Sequence, residues 1–125
     1  MSKNILIVDN SLVIRRVIKK LLGQTDLSDS ATFEAQNGFE ALEVLDKEEI
    51  QVVFLDLNMP LMDGFEFLRR FGERDDKDKT EVVVCSTEGS EEREKELKEL
   101  GVKHKLLKPI KPESFVETVN NIFKG

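Results

Sequence analysis

The chain has 125 residues, 39% hydrophobic and 35% charged, enough for one domain spanning 1–125 with a core of its own. Nineteen basic against twenty-five acidic residues leave a net charge of −6, which argues against non-specific nucleic-acid binding. No apolar run reaches membrane-span length, no signal-like segment follows Met1, and one cysteine excludes an internal disulfide. A cytoplasmic protein is expected, with Cys85 as a buried, inert thiol.

Ile5 to Val8 reads as a buried strand that ends on Asp9, with Asn10 next. Ser11 can cap the following helix. There the pairs Val13/Ile14, Val17/Ile18 and Leu21/Leu22 are expected inside, Arg15, Arg16, Lys19 and Lys20 outside, and Gly23 at the end. After a polar loop, Gln24 to Ser30, the alternation of Ala31 to Ala35 suits a half-exposed edge strand. Asn37 and Glu40 have capping-box spacing before a short helix that buries Ala41, Leu42 and Leu45.

Val52 to Leu55 is a third strand, buried on both faces, and it too ends on a carboxylate, Asp56. Pro60 and Gly64 then break the chain. A charge at the end of a buried strand needs a partner or a function, although Asp56 could equally cap the loop. Asp63 and Glu66 repeat the capping-box spacing, and Phe67, Leu68 and Phe71 form an inward stripe. Gly72 to Thr80 reads as a charged surface loop. Val82 to Cys85 is a fourth strand, closed by Ser86 and Thr87.

Ser90 can cap a helix in which only Leu97 and Leu100 are large and apolar, so this element is expected to be among the more mobile. Glu91/Lys95 and Glu94/Lys98 support its outer face. His104 to Leu107 is a short fifth strand ending on Lys108-Pro109. Pro112 opens a last helix with Phe115, Val116, Val119, Ile122 and Phe123 inward.

Five strands alternating with five helices predict an α/β fold, a parallel sheet in the flavodoxin-like order 2-1-3-4-5 with helices on both faces. The strands' carboxyl ends then share one rim, which collects Asp9, Asn10, Asp56, Ser86, Thr87 and Lys108. Paired carboxylates suit a hard divalent cation, and a lysine with a hydroxyl suits a phosphoryl group. Asp56 is then a metal ligand, a nucleophile, or both. Taken singly, Lys108 reads as a solvated lysine and Ser86 as a strand-end hydroxyl. Met59 and Met62 read as loop and core residues, and His104 lacks partners for a metal site.

Val8-Asp9-Asn10-Ser11, Asp56-Leu57-Asn58-Met59-Pro60 with Asp63-Gly64, Ser86-Thr87 and Lys108-Pro109 together resemble the receiver domain of two-component response regulators, over essentially the whole chain. The resemblance implies a phosphoacceptor signalling protein of the chemotaxis type rather than an enzyme acting on a separate substrate. Asp56 would take a phosphoryl group from the phosphohistidine of a histidine kinase or phosphotransfer protein. Mg²⁺ would be held by Asp9, Asp56 and the main-chain carbonyl of Asn58. The resemblance further implies that Lys108 pairs with phosphoryl oxygens, that the Lys108-Pro109 bond is cis, and that Ser86 draws the Thr87–Ser90 loop inward. The helix after Ser90 would then shift and alter the 90–125 face for a downstream protein target.

Two residues depart from the family pattern. Asn10 replaces an acidic metal ligand and leaves a weaker oxygen donor, and Lys105 stands where an aromatic switch residue is common. The resemblance further implies that Asn58 and Glu88 fall at the two variable family positions that tune hydrolysis of the aspartyl phosphate. The alternative is a pseudo-receiver that binds a protein partner without phosphorylation. A phosphatase of the haloacid dehalogenase type would want an acid where Asn58 stands, and flavin binding would want the Trp or Tyr that the chain lacks.

Overall fold

The structure, a computed structural model, describes residues 3–87 and 89–123. Runs of β-branched and aliphatic residues with no polar face belong inside a sheet covered on both sides; such runs form the three central strands and half-polar segments form the two edges, five strands in all. These are β1 (Asn4–Val8), β2 (Ala31–Ala35), β3 (Val52–Asp56), β4 (Glu81–Ser86) and β5 (His104–Leu107). All neighbours pair in parallel, in the order β2-β1-β3-β4-β5. β3 is central and buried at all five positions, whereas β2 is half exposed at one edge.

Successive residues of each strand enter opposite layers. Leu6, Val8, Val53, Leu55 and Val84 join one cluster with Ala41, Leu45, Phe67, Leu68 and Leu97. Ile5, Ile7, Val52, Phe54, Val83 and Cys85 join the other with Ile18, Leu21, Leu22, Phe115 and Val119. The helices α2 (Gly38–Lys47), α3 (Gly64–Gly72) and α4 (Glu91–Glu99) therefore cover one face. The other is covered by α1 (Leu12–Leu22) and α5 (Pro112–Ile122). Phe54 and Phe115 stack across that second layer with ring centroids 5.2 Å apart. Among the described residues, no helix is long and apolar enough to cross a membrane.

Helix starts follow the cap chemistry of the sequence. Ser11, Asn37, Asp63 and Ser90 each accept from the amide three residues on. The reciprocal half of the two capping boxes is absent. Glu40 reaches back to the Gln36 amide at 3.0 Å rather than to Asn37, and Glu66 pairs with Arg69 and Arg70.

Helix α1 corrects the expected pattern. Val13 is 68% exposed and Val17 is also exposed, while Arg15, expected in solvent, is only 8% exposed. Its Nε donates to Glu34 Oε1 and its Nη1 to the Asp9 carbonyl, each at 2.7 Å. The edge strand offers an acid and the rim an unpaired carbonyl, and these two acceptors draw a guanidinium to a position where periodicity reads only a polar residue. The charged 72–80 segment is not featureless either. Arg74 ties it to Asp46 and the Leu45 carbonyl, and Lys77–Lys79 form one 3-10 turn. In α5, Phe115 and Val119 are buried and Val116 and Ile122 partly so, but Phe123 is exposed, beyond the helix end.

Candidate functional site

The register of β1 on β3 sets Val8 against Leu55, so the next residues, Asp9 and Asp56, stand side by side at the carboxyl ends. They are 3% and 5% exposed. Two carboxylates so placed repel, and Lys108 relieves them. Its Nζ donates to Asp9 Oδ2 at 2.9 Å and to Asp56 Oδ1 at 3.1 Å. The lysine is held by its amide, which donates to the Ser86 carbonyl at 2.8 Å. The Lys108–Pro109 peptide is cis, as the resemblance implies.

Electrostatics follows from burial. Desolvation, and then the Asp9 charge, raise the Asp56 carboxyl above the usual aspartate value, and Lys108 only partly offsets this. For Lys108 burial is the largest single influence and would lower its pKa, yet the bonds and charges of the two aspartates together outweigh it and raise the ammonium. Cys85, buried in β4, has its thiol pushed up to about 12 by desolvation, which fits the inert role expected of it.

The loop after β3 is closed against the strand by Gly64. A Cβ there would lie 2.6 Å from the Asp56 carbonyl oxygen and 2.7 Å from Leu57 Cα, both main-chain atoms. The Gly64 amide donates to the Leu57 carbonyl at 3.0 Å, so α3 starts directly beneath the candidate nucleophile. Between Asp56 and Gly64, the exposed Leu61 carries a left-handed φ of 67°, and Met62 is buried. On the β1 side, Asp9 Oδ1 accepts from the Ser11 amide at 2.8 Å, while Arg15 holds the Asp9 carbonyl.

The sequence-derived site residues divide into two groups. Asp9, Asp56 and Lys108 converge, and Ser86 lies buried at the end of the adjacent strand. Asn10 and Thr87 are exposed on the rim. Asn58 is exposed as well. Its amide donates to Asp56 Oδ1 at 3.3 Å and its Oδ1 accepts from Arg93 Nη2 at 3.4 Å. Lys105 is partly buried and ion-paired with Glu94 of α4. Glu88 lies outside the described residues.

Arg15, Gly64 in its packing role, and Arg93 are additions that sequence reasoning missed. Their contacts join segments up to 35 residues apart, and no local signal announces them. Among the described residues, no cluster of three or more His, Cys, Asp or Glu forms. The donors that do converge are two carboxylates on one cationic group, all oxygen, with waters able to fill the rest. That set fits Mg²⁺, which needs only one or two carboxylates, and does not fit zinc.

Residues 5–120 match the response regulator receiver domain family. The chain is 31% identical to the chemotaxis protein CheY of Thermotoga maritima, over 99% of this chain and 100% of that one. It is 34% identical to sporulation initiation phosphotransferase F of Bacillus subtilis, over 87% and 84% of the two chains. Among solved structures, Vibrio cholerae chemotaxis protein CheY4 superposes with a TM-score of 0.87 at 30% identity, over 98% of this chain and 100% of that one. The buried acidic pair under a strand-end lysine is therefore set in a fold shared with Vibrio cholerae CheY4 over 98% of the chain, and the chain belongs to the response regulator receiver domain family.

Proposed function

We propose that this receiver accepts a phosphoryl group on Asp56 from the phosphohistidine of a histidine kinase or phosphotransfer protein, and thereby changes a protein-binding face. The observation that carries this reading is Lys108 bridging two buried aspartates at the switch point of the sheet. An Asp56 oxygen bonds to phosphorus as the phosphorus–nitrogen bond to the histidine breaks, and the imidazole nitrogen keeps the electron pair. Asp9, Asp56 and the Asn58 carbonyl would hold Mg²⁺, with Asn10 as a weaker donor. A cation there screens the charge that keeps a carboxylate away from a phosphoryl group.

Lys108 exchanges its carboxylate contacts for phosphoryl oxygens. Ser86 hydrogen-bonds the phosphoryl group and draws the Thr87–Ser90 loop with it, and Lys105 carries the movement to α4 through Glu94. The output is the 90–125 face, presented to a downstream protein. A second reading, a pseudo-receiver that binds its partner without phosphate, is favoured by one observation: Asn10 removes the third carboxylate of the family's metal site.

Intact mass after incubation with acetyl phosphate separates the two readings. A Mg²⁺-dependent gain of one phosphoryl group, absent in Asp56→Ala, supports phosphoacceptance. No adduct in excess Mg²⁺ or with a phosphorylated kinase supports the pseudo-receiver.

A further inference from the structure

Arg93 spans the mouth of the site. It is the third residue of α4, and its stem lies along the loop after β4: a Cβ on Gly89 would sit 3.5 Å from Arg93 Cβ and Cδ. Its guanidinium crosses to the loop after β3, with the charge centre 5.1 Å from the centroid of the buried Phe65 ring. From that stacked position Nη2 donates to Asn58 Oδ1 at 3.4 Å. Asn58 in turn lies two residues beyond Asp56 and bonds it through its amide.

Hydrolysis of an aspartyl phosphate needs a water on the solvent side of these same loops, opposite the Asp56 oxygen. The water oxygen bonds to phosphorus and the phosphorus–oxygen bond to Asp56 breaks. The carboxylate and hydrogenphosphate are released and one proton passes to solvent. A carboxamide oxygen at this place can hold that water by accepting one of its hydrogens. In this structure Asn58 Oδ1 already accepts from Arg93.

We propose that Arg93 is a positioning residue that lengthens the life of the aspartyl phosphate: by engaging Asn58 Oδ1 across the rim, it turns the carboxamide toward α4 and competes with the attacking water for that oxygen. This rests on Asp56 being the phosphoacceptor.

The test uses the full chain, phosphorylated with acetyl phosphate, freed of donor and followed by intact mass. Arg93→Ala should lose its phosphoryl group about three- to tenfold faster than the unaltered protein, the scale of one ordinary net hydrogen bond, as suits an exposed contact of 3.4 Å. Arg93→Lys should fall between them. Asn58→Ala should abolish the effect, so that the double variant decays like Asn58→Ala alone.

Arg69→Ala is the control for looseness of α4, because it breaks the 2.7 Å bond to Glu96 without touching Asn58. Equal lifetimes for Arg93→Ala and the unaltered protein overturn the proposal. So does an Arg93→Ala effect undiminished in the Asn58→Ala background, or an equal acceleration in Arg69→Ala. If the unaltered protein takes up no phosphoryl group, phosphoacceptance and this inference fall together. Uptake with unchanged lifetimes removes this inference alone.

Discussion

Helices α1 and α4 both begin at the rim around Asp56, yet they are fastened by different forces. α1 sinks Ile18, Leu21 and Leu22 into the core and adds a buried Arg15 bound to Glu34 and to the Asp9 carbonyl. α4 buries one side chain, Leu97, and is otherwise held by charge: Arg93 on Asn58 and Phe65, Glu94 on Lys105, Glu96 on Arg69. Burial does not respond to a new charge at Asp56, whereas exposed ion pairs are weak and rearrange at little cost. Under the phosphorylation of Asp56 proposed above, the first helix would hold the site still and the second would answer it.

The largest effect that sharpens this contrast is in the core under α1. Ile18→Ala should lower global stability by about 2–5 kcal/mol, seen as an earlier denaturant midpoint with an unchanged slope. Arg15→Ala should cost about 1.5–3 kcal/mol by the same measurement, the range for hydrogen bonds to a charged group. A loss near zero would place α1 in the same class as α4 and break the comparison.

Asp56→Asn should stabilise the fold at neutral pH, by less than Ile18→Ala removes. The folded pKa of Asp56 is raised, chiefly by desolvation, so the fold holds that proton more tightly than the unfolded chain does. Its contribution is full below about pH 4, the ordinary aspartate value, and is lost as pH rises through the folded value. The gain from Asp56→Asn should therefore appear in melts at pH 7 and shrink toward pH 4. A gain that grows on acidification would contradict the raised pKa.

Lys105→Ala should give the smallest global change, within about 1 kcal/mol. Its effect should show locally, as faster amide hydrogen exchange over Glu91–Glu99 with exchange in α1 unchanged. Equal acceleration in both helices would mean that Lys105 supports the whole fold rather than α4.

Five strand–helix alternations, the uninterrupted apolar runs of β1, β3 and β4, and the cap residues Ser11, Asn37, Asp63 and Ser90 are local properties of the chain. They suffice for the parallel sheet and its rim, because a period and a cap act between near neighbours in sequence. They also bring Asp9, Asp56 and Lys108 to one place, since parallel strands must end on the same side. The burial of Arg15, the exposure of Val13 and Val17, the close seat of Gly64 and the reach of Arg93 had no such local sign. The places of Arg15, Gly64 and Arg93 depend on an acceptor, a main-chain atom or a ring supplied by another segment: Glu34 and Asp9 for Arg15, Asp56 and Leu57 for Gly64, Asn58 and Phe65 for Arg93. A guanidinium has no preference for the interior until such acceptors are assembled around it, and their assembly is a property of the packed molecule.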